Sequence, residues 1–349
     1  MYAGCRLLGL REGDEVLAPA WICDSALEPY RALGCKIVFY RIDPYTFQVD
    51  VHHIQKLITP RTRLLHVVQH FGQPLLWNEI WAIREQFGLP ILEDNAYSLF
   101  SSVEGREFGS FGDIAIFSLR KNLPLPDGGM LRVNGDLQII NHKARVPWIY
   151  SVDKDRLRYF VSSYIKMLLG INISLRSLLG KRCPKSSYPP PLYSDGGKRP
   201  PPWPRGGLSP EFSCNFERPM SKLSMHFLRF FSHKGFSEMA FRKRGLYGML
   251  VNDLMDLKGI RILHPDLKDG AVPYCLFLLV EKNRDRLLYQ LQERCYPVMA
   301  WPTLPLEVIA NLDKYPDVEL LGRKGLQINL VIDLPQKKYF QLASDLKIY

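Results

Sequence analysis

The sequence predicts an α/β fold built on a mainly parallel sheet and followed by a smaller C-terminal α+β lobe. Three observations carry this expectation. Between Gly13 and Val133 short apolar runs alternate with helical patterns of about ten residues, the rhythm of βαβ units. Asp94, Ser118 and Lys121 fall at or just past the ends of such runs, where ligands sit in parallel sheets. The 349 residues exceed the usual single domain, and 46% hydrophobic with 23% charged residues suits a chain with a sizeable core.

The elements follow in order. Glu15–Pro19 reads as a short strand and Ser25–Leu33 as a helix. Lys36–Tyr40 is β-branched and aromatic, hence a strand, and Val51–Ile58 is a helix. Leu64–Val68 is a strand, Leu76–Phe87 a helix, and Pro90–Leu92 a strand ending in Glu93-Asp94. Ala115–Ser118 and Gly129–Val133 complete the strands of this half. Around Asn141 the pattern changes to longer helices, and Pro184 to Pro210 is proline-rich. Its Pro189-Pro190-Pro191 and Pro200-Pro201-Pro202 runs exclude regular helix and favour extended backbone, as in a linker. A helical pattern runs from Met220 to about Leu257. A strand at Tyr274–Val280, a helix at Arg284–Arg294 and a strand near Gln327–Ile332 follow. The implied division is a large domain over residues 1–140, a connecting region over 141–215 and a small domain over 216–349.

Charge and cysteine content narrow the function classes. The formal net charge of +11 is spread along the chain, with only short clusters such as Lys198-Arg199 and Arg242-Lys243-Arg244. Neither zinc-finger spacing nor an RNA-binding aromatic signature accompanies them, so no nucleic-acid partner is expected. The seven cysteines include no CxxC pair, so no metal site and no disulfide framework is expected, and reduced thiols in a cytoplasmic protein are the simplest account. No charged leader with an apolar run opens the chain. The most lipid-like stretch, Phe160 to Leu179, is interrupted by Lys166, Gly170, Asn172 and Arg176 and is too polar to span a bilayer.

The chemistry concentrates in Gly109-Ser110-Phe111-Gly112-Asp113-Ile114-Ala115-Ile116-Phe117-Ser118-Leu119-Arg120-Lys121, with Asp127-Gly128-Gly129 after it. Lys121 follows a buried strand and precedes Pro124, Pro126 and paired glycines, an unusual setting for a solubilising charge. A lysine in a partly desolvated pocket loses its proton more readily, and only the neutral amine attacks an aldehyde. In Leu92-Glu93-Asp94-Asn95-Ala96-Tyr97, the Asp94 carboxylate at a strand end suits a helix cap, a metal ligand or a general base.

Several blocks together resemble the DegT/StrS-type sugar aminotransferases. They are Gly13-Asp14-Glu15-Val16-Leu17-Ala18-Pro19-Ala20, Gly34 through Asp43, Ile58-Thr59-Pro60-Arg61-Thr62, Phe71-Gly72-Gln73-Pro74, Gly88 through Asp94, and Gly109-Ser110-Phe111-Gly112-Asp113. They arrive in family order over roughly residues 4–134. Met220-Ser221-Lys222-Leu223, Arg284-Asp285 and Trp301-Pro302 continue the likeness more faintly. The resemblance implies a large domain of the aspartate-aminotransferase type (fold type I), pyridoxal 5'-phosphate (PLP) as cofactor, and a homodimer. It implies transfer of an amino group from glutamate to a keto-sugar carried on a nucleotide, in polysaccharide or secondary-metabolite biosynthesis. Lys121 matches the family's Schiff-base lysine and Asp94 the aspartate that keeps the cofactor's ring nitrogen protonated, so that the ring serves as electron sink. Tyr97 stands where the family commonly has glutamine or histidine beside the cofactor. Ser118 matches a phosphate-binding serine, and Asn215 an asparagine that reaches the partner subunit's phosphate.

The likeness departs from the family in three places. The family's opening glycine-threonine/serine-alanine turn and helix, whose amides grip the phosphate, have no counterpart here, since Met1-Tyr2-Ala3-Gly4 falls about where that helix should end. The aromatic residue usually stacked on the ring corresponds to Cys23, and Trp21 takes its place if strand alternation keeps both on one side. Ser118 and Lys121 are closer together than in the common pattern, with Leu123-Pro124-Leu125-Pro126 in place of small residues. Two function classes therefore stand side by side: an active aminotransferase, and a degenerate relative acting as a binding or partner subunit.

Overall fold

The computed structural model describes residues 1–123, 125–135, 161, 216, 219–230, 233–301, 303–331 and 334–348. Asn215, Pro302, the proline-rich stretch and nearly all of the segment 160–179 lie outside the described residues.

After helix α1 (Tyr2–Leu7) the chain runs β1 (Glu15–Pro19), α2 (Glu28–Ala32), β2 (Lys36–Tyr40), α3 (Val51–Leu57), β3 (Thr62–Val68), α4 (Trp77–Phe87) and β4 (Ile91–Asp94). A small hairpin of β5 (Ser102–Val103) and β6 (Arg106–Glu107) precedes β7 (Ile114–Ser118), the single turn α5 (Leu119–Asn122) and β8 (Gly129–Val133). The main sheet has the order β2-β1-β3-β4-β7-β8 and is parallel except for the β7–β8 pair. β1 and β4 are buried at every position because both faces of the sheet are covered, as parallel sheets require. Local signals set the helix ends. The Asp50 carboxylate accepts the His53 amide at 2.9 Å to cap α3, and Gly88 ends α4 in the left-handed region at φ 62°.

Each strand expected in this half is present, with ends moved by a residue or two. The helix expected over Ser25–Leu33 is divided into a 3-10 turn, Asp24–Ala26, and α2. Pro29 has no N–H to return to the Ser25 carbonyl, so the helix restarts with the proline in its first turn.

The second half carries α6 (Lys222–Phe230), α7 (His233–Leu254), β9 (Ile260–Leu263), β10 (Cys275–Val280), α8 (Arg284–Glu293), β11 (Val298–Met299), α9 (Leu306–Ile309), α10 (Pro316–Lys324), β12 (Gly325–Asn329) and α11 (Gln336–Ile348). Its antiparallel sheet has the order β11-β12-β10-β9. β10 is covered on both sides. Phe277 and Leu279 pack into the core shared with the main sheet, while Leu276, Leu278 and Val280 join a second core with Tyr247, Leu250 and Tyr339. β9 and β11, not expected from sequence, are short strands at the two edges of this sheet.

The segment before β10 is laced to the main sheet's loops. The Tyr274 amide donates to the Phe71 carbonyl at 3.0 Å and the Ser102 amide to the Gly270 carbonyl at 2.9 Å. The Val272 amide donates to Ser101 Oγ at 3.0 Å. A Cβ on Gly72 would run into the Val272 carbonyl, so this approach requires glycine. Cys5, Cys23, Cys35 and Cys275 are free thiols, as expected. Cys295 corrects that expectation, because it is disulfide-bonded. It sits half-buried in the left-handed turn after α8, at φ 63°, where its sulfur is not locked into a core. Among the described residues no helix is long and apolar enough to cross a membrane.

Candidate active site

The site is organised by the carboxyl end of β4, where consecutive acids point to opposite faces of the sheet. Glu93 is fully buried and accepts five hydrogen bonds. Its Oε1 takes Gln69 Nε2 at 2.6 Å, Asn95 Nδ2 at 2.8 Å and the Gly109 amide at 2.6 Å. Its Oε2 takes the amides of Phe111 at 2.9 Å and Gly112 at 3.2 Å. Glu93 thus holds the Gly109–Asp113 turn that feeds β7. Gly112 is needed there, since a Cβ would lie 2.9 Å from the Ile91 carbonyl oxygen. Asp113 closes the turn by accepting the Ile91 amide at 2.8 Å and pairing with Arg84.

Asp94 faces the other way and is also buried. Its Oδ1 accepts the Ala96 amide at 2.8 Å, and its Oδ2 lies 3.2 Å from His66 Nε2. Burial works against the carboxylate's charge. The His66 hydrogen bond, the Ala96 amide and the nearby Lys121 outweigh it and hold the Asp94 carboxyl below the usual carboxylate range. His66 Nδ1 is 2.9 Å from Tyr30 Oη, and Tyr40 Oη donates to the His66 carbonyl at 2.8 Å.

Lys121 lies in α5, directly after β7, and its Nζ sits 3.8 Å from the centroid of the Tyr97 ring. No carboxylate among the described residues pairs with it. Asn122 secures the turn by donating to the carbonyls of Ala96 and Ser118, each at 3.0 Å, which ties the lysine loop to the segment after Asp94. On the far side of the loop Asp127 accepts the Ser221 amide and the hydroxyls of Ser221 and Ser224, so the start of α6 is clasped to the lysine loop. Burial pushes the Tyr97 phenol well up, and the neighbouring Cys23, Asp94 and Cys275 add to the shift. Asp94, Tyr97 and Lys121 are therefore gathered together. Ser118 stands three residues before Lys121, half-buried at the end of β7.

The expected interchange of Trp21 and Cys23 along one strand face is not what the chain does. β1 ends at Pro19, and the backbone bends before either side chain. Trp21 is fully buried and packs on Trp301 with ring centroids 5.0 Å apart. Cys23 is half-buried, its Sγ 3.1 Å from Thr303 Oγ1. The aromatic wall beside Tyr97 comes instead from residues to which the sequence reading gave no place beside the cofactor. Tyr274 is 4.8 Å from Tyr97, Phe71 5.5 Å and Trp301 5.9 Å, centroid to centroid. His66, Tyr30 and Asn122 were also missed. His66 offered one signal, a lone polar residue inside the apolar run Leu64-Leu65-His66-Val67-Val68. A separate cleft of about 900 Å³, lined by Arg41, Asp43, Tyr45, His52, Glu79 and Asp317 among others, shares no residue with this site.

Comparison with solved structures supports the fold. Across 99% of this chain and 82% of the other, it superposes on the aminotransferase TlmJ from Streptoalloteichus hindustanus with a TM-score of 0.67 at 19% identity. Spr1654 from Streptococcus pneumoniae in its PLP form gives a TM-score of 0.67 at 16% identity, covering 99% of this chain and 83% of that one. DesI, solved in the presence of its TDP-sugar product, gives 0.62 at 19% identity, covering 99% and 78%. The expected α/β architecture of the aspartate-aminotransferase type therefore holds. Residues 1–179, just over half of the sequence, match the model of one family. The chain belongs to the DegT/DnrJ/EryC1/StrS aminotransferase family.

Proposed function

We propose that this chain is a pyridoxal-phosphate-dependent aminotransferase that moves an amino group from glutamate to a nucleotide-linked keto-sugar. The observation that carries the proposal is that a buried Asp94 held in its charged form and the Lys121 amine over Tyr97 lie near one another at one end of the sheet. These residues fit the cofactor. Asp94 is a buried anion hydrogen-bonded, among the described residues, to the Ala96 amide and to His66, with Lys121 nearby. Lys121 has an amine not tied up in an ion pair, and the Ser118 hydroxyl makes no hydrogen bond among the described residues. Lys121 would hold the aldehyde, Asp94 the ring nitrogen and Ser118 the phosphate, with Asn215 proposed to reach the phosphate of a partner subunit. Bound there, PLP supplies an electron sink for carbanion chemistry.

The chain's own groups supply the rest. Lys121 Nζ would be the group that moves a proton from the donor's α-carbon. Asp94, held in its charged form, would keep a proton on the ring nitrogen. The Tyr97 ring lies against the lysine, backed by Tyr274, Phe71 and Trp301. The sugar-nucleotide acceptor draws support from the family and from the TDP-sugar product of DesI. A homodimer in the cytoplasm, and the division into domains over 1–140 and 216–349 joined by 141–215, belong to the same proposal.

The test is a near-visible spectrum of the purified chain with added PLP, then borohydride reduction and peptide mapping. A pyridoxyl group on the Lys121 peptide, absent in Lys121→Ala, is the expected result. No specific adduct would sink the proposal and turn attention to a non-catalytic binding role.

A further inference from the structure

His66 is fully buried in the middle of β3, and a buried imidazole requires partners for both nitrogens. The partners dictate where its hydrogen sits. An ionised Asp94 carboxylate only accepts, so the nitrogen facing it, Nε2, must carry the hydrogen. In the neutral ring Nδ1 is then an acceptor, and the Tyr30 hydroxyl at 2.9 Å is placed to donate to it. Tyr30 and Tyr40 are both fully buried, and Tyr40 fixes the His66 backbone through its carbonyl. The hydrogen bonds therefore run in one direction, from Tyr30 through His66 to Asp94.

We propose that His66 is a positioning residue, locked by Tyr30 in its Nε2–H tautomer, that fixes Asp94 in one orientation toward the cofactor's ring nitrogen. The proposal rests on the reading of Asp94 given above. An aspartate carboxylate rotates over a broad, two-fold range about its last torsion. With Ala96 on one oxygen and His66 on the other, that freedom is gone before any ligand arrives, which is how a binding group is preorganised. Without Tyr30 the ring is free to move its hydrogen to Nδ1. Nε2 would then turn a lone pair on the carboxylate and weaken the hold on Asp94.

Two measurements test this independently. The first is long-range proton–nitrogen correlation NMR of the ¹⁵N-labelled full chain at neutral pH, without PLP, with His66→Gln to assign the signal. The expected result is an unprotonated Nδ1 and a protonated Nε2, with the Nδ1 signal moving in Tyr30→Phe. A hydrogen on Nδ1 overturns the proposal whatever the chain binds. The second is PLP affinity by absorbance titration. His66→Phe is expected to raise the dissociation constant by roughly 10- to 100-fold, the reach of one charge-assisted hydrogen bond. His66→Gln, which keeps an N–H donor, is expected to recover affinity to within about threefold of the parent, with Tyr30→Phe in between. Equal losses in the glutamine and phenylalanine variants would make His66 a packing residue and overturn the proposal. If the parent chain forms no pyridoxyl adduct at Lys121, the proposed function fails, and the NMR tautomer still decides the proton arrangement.

Discussion

Glu93 and Asp94 are neighbours on one short strand, equally buried, and yet they do different work. Glu93 looks toward the Gly109–Asp113 turn and is saturated by five donors from three chain segments. Asp94 looks toward Lys121 and has one amide and one imidazole. The first carboxylate has no capacity left for a ligand and fastens the backbone. The second keeps lone pairs available, and its charge is maintained by groups that leave room for another partner. Burial alone does not mark a site residue; the number of donors already satisfied does.

The largest effect that would break this contrast is on stability. Glu93→Gln puts an amide donor among five donors, and we expect a loss on the order of 3–5 kcal/mol, read as the urea midpoint. A loss under about 1 kcal/mol would show that the turn does not depend on Glu93.

The same division runs through two histidines. His66 serves Asp94, whereas His70 is buried with its Nε2 3.1 Å from the Trp21 carbonyl. Burial pushes the His70 ring down to about 4. The unfolded chain, with an ordinary histidine value near 6.5, therefore takes up the proton first as pH falls. Stability should drop between about pH 6.5 and pH 4 by roughly 3 kcal/mol from this residue alone. Unfolding curves across that range, with a shallower slope in His70→Leu, are the check.

Asp94→Asn should separate chemistry from stability. PLP affinity is expected to fall about 10- to 100-fold, with far less change in the urea midpoint at neutral pH than Glu93→Gln causes. The Asp94 carboxyl is held below its ordinary value, so its stabilisation is present above about pH 4 and is lost as pH falls through the folded-state value. That acid limb should be missing in the asparagine variant. The smallest effect belongs far from both faces: Lys347→Ala removes an exposed pair with Asp253 and should change stability by less than about 1 kcal/mol.

The two carboxylates also explain what could be read from the sequence. Strand-end position and motif spacing pointed to Asp94 and Lys121, because a parallel sheet collects its strand ends on one side. The role of Glu93 was hidden, since its five donors come from segments brought together only when β4 pairs with β3 and β7. His66 was hidden for the same reason. The parallel register sets His66 beside Leu92 and Val68 beside Asp94, which puts histidine and aspartate on one face, and no single-strand pattern contains that fact. For Trp21 it was the strand argument that did not apply. Alternation is a property of strands, and β1 stops at Pro19.

The lacing of residues 270–274 to the loops at Phe71 and Ser101 bears on motion. Enzymes that close over a ligand commonly swing one domain on a hinge whose backbone is free to turn. Here the backbone that leads into β10 is hydrogen-bonded across to the main sheet at Phe71, Ser101 and Ser102, and Gly72 leaves no gap beneath Val272. To swing the second sheet away along this seam would mean opening those bonds together, so the seam should exchange its amide hydrogens as slowly as the strands it joins. Lys121 is already half-exposed with the seam closed, so reaching it calls for moving the Tyr97 ring at most, and not for parting the halves of the molecule.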